Sequence, residues 1–337
     1  MAAAGYLVHG SIAQPPKQLA PLLSEAASRQ VPASRVYVLV EGAGDCATEP
    51  LLEWLGQLYG LVGAFAPRLD VVPLLPFAGW TPGVATVEAA QRSGDRDGGR
   101  GGLAMLMEPR VLSEPPAAVS AATGASAALK ATAVASSTPA AAATAAAAAA
   151  VAATAAAARQ ERQDSSGKAA AGAIAVDEQL AFVHVAVGGT FDRLHAGHRL
   201  LLAATALCAT QLVYVGVTAD ELLAKKAHHD LLQSLEARTT AAADFMSSVR
   251  PALTVTTGAL RDPSAPTQAE LDPDMQALVV SRETLSGGEA INSGRRARGF
   301  EELRLVVVSL VGEQPGGGKL SSTALREQDA AAGRDGG

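Results

Sequence analysis

The chain of 337 residues has only two cysteines, Cys46 and Cys208, which lie far apart in the sequence. Two isolated thiols provide neither a disulfide framework nor the paired spacing of a zinc site, and they fit a reducing compartment. We therefore predict no disulfide partner and no metal-ligating side chain. Cys208 is interpreted as a packing residue of a helix.

The chain also lacks an excess of basic residues, since its net charge is −6. Nucleic acids and anionic membranes usually bind basic surfaces, so we expect neither as a partner. Any phosphate ligand must then be bound by a local arrangement of groups. No secretory signal is expected, because the first basic residue is Lys17 and no compact apolar segment follows a charged start. We predict a cytoplasmic location.

Aromatic and large aliphatic residues are scarce between about residues 115 and 175. Such a segment buries too little surface to offset its ordering entropy, and the Ala-rich run 140–158 is too weakly apolar for a membrane span. Together with a Gly- and Arg-rich patch, this composition predicts a disordered linker over residues 92–175, although alanine favours local helix. The linker separates a small α/β unit, residues 1–91, from a domain at residues 176–330, and a disordered tail is expected at residues 331–337.

The domain at residues 176–330 alternates apolar strand patterns with helix patterns. Strands are predicted at 182–187, 212–217, 253–257, 277–281 and 303–311, and helices at 197–209, 219–227, 236–249, 287–299 and from Ser321 onward. This alternation predicts a Rossmann-like, doubly wound parallel sheet, which binds ligands beyond the carboxyl ends of its strands. In the first unit, the patterns predict strands at 36–40 and 69–75 and a helix at 49–61, but no motif assigns a role, and a scaffold or interaction role is expected.

The most informative segment is 187–198, Val-Gly-Gly-Thr-Phe-Asp-Arg-Leu-His-Ala-Gly-His, which connects a predicted strand to a predicted helix. Gly188 and Gly189 allow the backbone to approach a ligand closely. The unpaired amides at the helix start, and the positive end of the helix dipole, favour an anion. Because His195 and His198 flank this start, the segment predicts a phosphate-binding loop.

A second group of polar residues opens the last predicted helix, at Ser321, Ser322 and Thr323. Their hydroxyls and amides suit either a phosphate or plain capping of the helix. The glycines before Lys319 do not form a Walker loop, because the spacing of that motif is not met.

The loop 187–198 and Ser-Ser-Thr-x-x-Arg at 321–326 resemble the two signatures of nucleotidyltransferases that act at the α-phosphate of a nucleoside triphosphate and release pyrophosphate. The region between them resembles the eukaryotic type of pantetheine-phosphate adenylyltransferase at 216–218, 222–226, 236–238, 250–253, 262–263, 272–273 and 278–284. The resemblance spans about residues 183–326. It implies ATP and 4'-phosphopantetheine as substrates, dephospho-coenzyme A and pyrophosphate as products, and Mg²⁺.

The resemblance also implies residue roles. Thr190 would orient the attacking phosphate, His198 would stabilise the α-phosphate in the transition state, and Lys226 would bridge the reacting phosphates, with Lys225 as an alternative. The other residues expected to bind substrate are Gly189, Phe191, His195, Arg295, Ser321, Ser322 and Thr323. Asp192 is expected to brace the loop by accepting backbone hydrogen bonds, because a carboxylate facing a triphosphate repels it unless magnesium intervenes.

Three alternatives remain at this stage. Gly197, where the eukaryotic forms commonly have alanine, is shared with cytidylyltransferases, so CTP and a phospho-alcohol such as glycerol 3-phosphate or phosphoethanolamine form a second substrate pair. A catalytically silent nucleotide-binding module is another reading. A zinc hydrolase using His195 and His198 is the third, but the sequence offers no third ligand.

Overall fold

The computed structural model describes residues 4–28, 35–75, 110–111, 180–309, 311 and 320–332. They form two β-sheets with helices packed on them. Apart from residues 110 and 111, the predicted linker at residues 92–175 lies outside the described residues, so its disorder stays a prediction.

The first sheet has four strands in the order β3-β2-β1-β4. Its elements are β1 (Ala4–Ser11), α1 (Ala20–Ser28), β2 (Arg35–Glu41), α2 (Thr48–Phe65), β3 (Asp70–Leu74) and β4 (Arg110–Val111). Strands β1, β2 and β3 are parallel, and β4 pairs antiparallel with the start of β1. The buried positions of α2 include Leu51, Leu55, Leu58 and Val62, whose spacing places them on one helix face.

The structure confirms the predicted β2, α2 and β3 but adds elements that the sequence patterns did not reveal. The apolar run of β1 is short and ends at His9 and Gly10, so its periodicity was too weak to identify a strand. Strand β4 lies inside residues 92–175, for which a disordered linker was predicted. That prediction is wrong at residues 110 and 111. Two residues carry no local strand pattern, and β4 exists only through its pairing with β1.

The second sheet has five parallel strands in the order β7-β6-β5-β8-β9. Its strands are β5 (Phe182–Gly189), β6 (Ala209–Thr218), β7 (Thr254–Leu260), β8 (Ala277–Ser281) and β9 (Arg304–Val308). Its helices are α3 (Ala196–Cys208), α4 (Asp220–Leu223), α5 (Leu235–Val249), α6 (Gln268–Leu271), α7 (Leu285–Ala297) and α8 (Ser322–Ala332). The chain winds outward from β5 to β7 and then returns to β8 on the other side of β5. The predicted doubly wound sheet is confirmed, with its switch point between β5 and β8.

Several predicted boundaries in this region are shifted: the strands predicted at 253–257 and 303–311 end at Leu260 and Val308. Two further differences concern helices. The predicted helix at residues 219–227 is the four-residue α4, because the chain leaves the helix in turns and His228 adopts a left-handed φ of 51°. Lys226 therefore lies on a turn. Helix α8 continues to Ala332, two residues into the segment predicted as a disordered tail at 331–337, and the rest of that tail lies outside the described residues.

The two sheets belong to one compact unit and share one hydrophobic cluster. Helix α2 of the first sheet packs against α3 of the second. Asp70 joins the two parts electrostatically, since it pairs with Arg35 at 2.7 Å and with Arg199 at 3.0 Å. Within the described ranges, no helix is long and apolar enough to cross a membrane.

Candidate active site

The loop after β5 is shaped by an aromatic side chain packed against a glycine. Phe191 is fully buried and has a left-handed φ of 49°. A Cβ atom at Gly189 would lie 3.1 Å from the Phe191 ring, so a side chain at this position would crowd the ring. Gly189 lines a cavity, whereas Phe191 supports the loop from its buried side. The predicted substrate contact of Phe191 is therefore corrected to a structural role.

His195 caps the N-terminus of α3. Its Nδ1 accepts a hydrogen bond from the Gly197 amide at 3.2 Å, so a neutral ring carries its proton on Nε2. Burial, followed by the charge of Arg199, lowers the pKa of His195 to about 4, and Asp192 only partly opposes this shift. At neutral pH His195 is thus an uncharged hydrogen-bond donor through Nε2.

His198 lies one turn further along α3, and its ring stacks on that of His195 with 3.9 Å between centroids. Burial, then the nearby His195 and Arg199, hold the pKa of His198 well below its usual 6.5. The buried Nδ1 of His198 has no hydrogen-bond partner in the described part of the chain. An unsatisfied buried polar atom is costly, and a bound ligand or water is one way to satisfy it.

The start of α8 contacts the loop after β5 directly. Ser322 Oγ donates to the Asp192 carbonyl at 2.8 Å, which joins the two signature segments. Ser321 Oγ accepts from the Ala324 amide at 3.2 Å, so the capping interpretation of this serine is confirmed.

A buried ion pair fixes the same junction. The carboxylate of Asp192 is fully buried and accepts hydrogen bonds from Arg326 and from the Gln233 amide, the latter at 3.1 Å. Asp192 therefore braces the loop, as predicted. Its pairing with Arg326 was not foreseen, since 134 positions separate the two residues and no local pattern connects them.

Both signature segments line one cavity of about 450 Å³ at the carboxyl ends of β5 and β8. The predicted site residues on its wall are Gly189, Thr190, His195, His198, Lys226, Ser321, Ser322 and Thr323. Lys225 is absent from this wall, so of the two lysines the geometry favours Lys226. Residues that sequence reasoning had not proposed also line it, among them Thr218, Ser281, Glu283 and Thr284.

Arg295 does not reach the cavity. It is fully buried in the core beneath α7, and its guanidinium donates to backbone carbonyls of Ala269, Asp272, Pro273, Met275 and Glu301. These contacts fix the segments around α6. The predicted substrate-binding role of Arg295 is corrected to a structural one, because an arginine with saturated donors has none left for a phosphate.

Arg238 is a supporting residue that the sequence did not identify. It is fully buried, and its guanidinium donates to the carbonyls of Thr190 and Thr218, each at 2.7 Å. It thereby holds the ends of β5 and β6 together behind the cavity. Arg238 lies within 236–238, a stretch covered by the resemblance, but its hydrogen-bond partners at the ends of β5 and β6 are distant in sequence.

The described residues contain no cluster of three or more side chains that could hold a metal ion. The Asp192 carboxylate is engaged by arginine, and Nδ1 of His195 is engaged by Gly197, which does not favour the zinc hydrolase alternative.

A family model described as "Cytidylyltransferase-like" matches residues 186–328, which contain both signature segments. The fold, the loop and this match define a nucleotidyltransferase-type domain.

Within the nucleotidyltransferases, this chain is similar to three relatives that are named phosphopantetheine adenylyltransferase. The protein from Methanopyrus kandleri is 38% identical over 145 residues, which are 43% of this chain and 89% of that protein. The one from Thermococcus gammatolerans is 34% identical over 142 residues, 42% of this chain and 86% of the relative. The one from Saccharomyces cerevisiae is 38% identical over 144 residues, 42% of this chain and 47% of the relative. The chain belongs to the phosphopantetheine adenylyltransferase family, although it spans only about half the length of its yeast relative.

Proposed function

We propose that this chain transfers AMP from ATP to 4'-phosphopantetheine and forms dephospho-coenzyme A and pyrophosphate. The observation that carries the proposal is the single cavity that joins the loop after β5 to the start of α8. Two oxyanion-binding segments on one cavity suit a substrate that presents several phosphates at once. The names of the archaeal and yeast relatives support the choice of reaction.

The proposed chemistry is a direct displacement. A phosphate oxygen of the acceptor attacks the α-phosphorus of ATP, and the bond from this phosphorus to the pyrophosphate oxygen breaks. Such a transfer depends on positioning and on groups placed where charge develops. In this scheme the Thr190 hydroxyl orients the acceptor phosphate, and the Lys226 ammonium lies between the acceptor and the α-phosphate.

The imidazoles act as neutral donors before substrate binds. The Nε2 proton of His195 is available to the triphosphate, and His198 faces the α-phosphate. An incoming polyanion raises the pKa of both rings, because negative charge stabilises imidazolium. Ser321, Ser322 and Thr323 hold the pyrophosphate as it leaves.

Magnesium enters the proposal as the counter-ion of the triphosphate, where it neutralises phosphate charge. No step of the scheme depends on a metal ligand from this chain. A cytoplasmic location and the absence of nucleic-acid and membrane partners remain predictions from the composition.

The deciding experiment measures pyrophosphate release by the full chain. ATP and CTP are each supplied with 4'-phosphopantetheine or with a phospho-alcohol. We expect turnover with ATP and 4'-phosphopantetheine only. The "Cytidylyltransferase-like" description of the matched model makes CTP with a phospho-alcohol the second candidate, and turnover with that pair alone would establish it. No turnover with any pair would favour a silent nucleotide-binding module.

A further inference from the structure

The short segment between α2 and β3, residues 66–69, touches the start of α3. The Ala196 amide, next to the capping His195, donates to the carbonyl of Pro67 at 3.2 Å. This amide is one of the unpaired donors with which a helix begins. The first sheet therefore supplies a hydrogen-bond partner to the helix that carries both histidines of the cavity.

The neighbouring Arg68 contacts the other signature helix. A single guanidinium nitrogen of Arg68 donates to the Leu325 carbonyl at 3.1 Å and to the Asp329 carboxylate. Both acceptors lie on α8, whose first residues line the cavity. The segment 66–69 thus contacts α3 and α8, the two helices that begin at the proposed phosphate sites.

Asp329 extends this connection to the loop after β5. Its second carboxylate oxygen accepts from Nε of Arg193 at 2.6 Å, and Arg193 follows the bracing Asp192 in the loop. Burial would raise the pKa of Asp329, but the hydrogen bonds and charges of Arg68 and Arg193 outweigh it, so the pKa is lowered. A charged Asp329 is therefore held between the two arginines.

We propose that Arg68 is a positioning residue for phosphate binding. By anchoring α8 through Leu325 and Asp329, it sets the direction in which the hydroxyls of Ser321, Ser322 and Thr323 face the cavity. The first sheet then takes part in the nucleotide site without contacting the nucleotide. The identity of that nucleotide rests on the proposed function, whereas the positioning effect concerns any ligand with two linked phosphates.

The exposure of this contact makes positioning separable from stability. The side chains of Arg68 and Asp329 are 52% and 31% exposed. Exposed ion pairs contribute little to folding, on the order of 0–1 kcal/mol. A merely structural Arg68 would therefore leave both melting and ligand affinity almost unchanged. If Arg68 positions α8, its removal should lower the affinity for phosphate ligands without lowering the melting temperature. A displacement of a binding group by about 1 Å is enough to cause a large loss.

The test measures binding of inorganic pyrophosphate to the full chain by calorimetry, with melting temperatures recorded in parallel. We expect Arg68→Ala to weaken binding about tenfold while its melting temperature changes by less than about 2 °C. Arg68→Lys should stay within about twofold of the wild type, because one nitrogen makes both contacts and an ammonium can replace it. The matched control is Arg296→Ala, which removes a similarly exposed pair with Glu302 and should also stay within about twofold.

Wild-type affinity in Arg68→Ala overturns the proposal, as does a loss of affinity that only parallels a loss of folded protein. Equal losses in Arg68→Ala and Arg68→Lys also overturn it, since the two contacts would then not be responsible. If the wild type does not bind pyrophosphate, there is no phosphate site for Arg68 to position, and the proposal is also overturned. Failure of the adenylyl-transfer assay with pyrophosphate binding intact rejects the proposed reaction and leaves the positioning effect measurable.

Discussion

The carboxyl ends of β1 and β5 look alike in sequence but differ in what covers them. Both strands lie in parallel pairings, and each ends near a glycine before a loop and a helical turn. At the end of β1 the ring of Trp54 occupies the space above Gly10, where a Cβ atom would lie 3.1 Å from the indole. The indole Nε1 donates to the carbonyls of Ser11 and Gln14 at 3.1 and 2.8 Å. At the end of β5 the equivalent space is the cavity.

The helical turns that follow these strands also differ. After β1 the turn begins at Pro15 and Pro16, and proline has no N–H to offer an anion. After β5 it begins at His195, and the imidazoles of His195 and His198 line the cavity. In addition, β5 has parallel neighbours on both sides, whereas β4 pairs with β1 in the antiparallel direction and only at Ala4 and Gly5. Among the described residues, the end of β5 therefore combines a switch point with an open cavity lined by imidazoles, whereas the end of β1 is covered by an indole.

The largest effect is expected from separating the two sheets. Helix α3 is buried from Arg199 to Cys208 on every face, between the second sheet and α2. Deleting residues 1–175 removes α2 and exposes that apolar surface. Because each buried aliphatic side chain is worth about 1.5–3 kcal/mol and whole domains have only about 5–15 kcal/mol, we expect loss of cooperative unfolding or insolubility. Differential scanning calorimetry of the purified deletion checks this.

The matched control replaces residues 113–175 with a Gly/Ser linker of about 20 residues. It should keep the melting temperature within about 2 °C and retain turnover, if the predicted linker is only a connection. A truncation lacking residues 1–175 that melts like the full chain would contradict the importance of the shared core.

A second test compares histidines at the two strand ends. His198→Ala should lower kcat by about 10²- to 10³-fold, the loss typical of one preorganised donor at a developing charge. His9→Ala, at the carboxyl end of β1, removes a ring that pairs with the exposed Glu41, and turnover should stay within about twofold. The rates are compared at saturating substrate. A decrease below threefold for His198→Ala would contradict its assigned role.

The depressed pKa of His195 predicts a pH dependence of stability. The folded ring has a pKa of about 4 against 6.5 for the free side chain. The contribution of the neutral His195 ring to the free energy of unfolding is therefore fully present above pH 6.5. It is lost as the pH falls toward 4, because the unfolded state then binds a proton that the folded state does not. This loss amounts to about 3 kcal/mol.

His195→Asn keeps a capping acceptor for the Gly197 amide but cannot titrate. Between pH 7 and 4 its unfolding free energy should therefore fall by about 3 kcal/mol less than that of the wild type, as measured by urea denaturation. Parallel pH profiles for the two proteins would show that the ring titrates normally in the folded state.

The smallest effect is expected at the covered end of β1. Trp54→Phe removes the indole N–H but keeps most of the packing, so the free energy of unfolding should fall by about 1–2 kcal/mol. It should create no pyrophosphate site, because the proline turn still lacks amides. Calorimetry with pyrophosphate checks this, because a second site would raise the number of pyrophosphate molecules bound per chain. A new binding site at β1 would show that Trp54 alone separates the two strand ends.

Much of this site could be predicted because its signals are local. The spacing of glycine, threonine and histidine in 187–198 and the hydroxyls at 321–323 follow from residues near in sequence, and all of these segments reach the cavity. The predictions that Arg295 and Phe191 bind substrate were wrong because they depend on non-local contacts. The burial of both side chains, and the saturation of the Arg295 donors, are set by residues that are distant in sequence. One available signal was missed: the run of apolar residues around α3 predicts a helix buried on all faces, and hence a covering element.

By itself, the sequence determined the alternation of strands and helices in the second sheet and the residue types of the two segments proposed to bind phosphate, because periodicity and motif spacing act over few residues. Only the tertiary structure decided that Asp192 pairs with Arg326, that Arg238 supports Thr190, and that the first sheet contacts both signature helices through residues 66–69. These contacts join positions far apart in the chain, and the physical reason they form is the packing of α2 on α3 around one shared core.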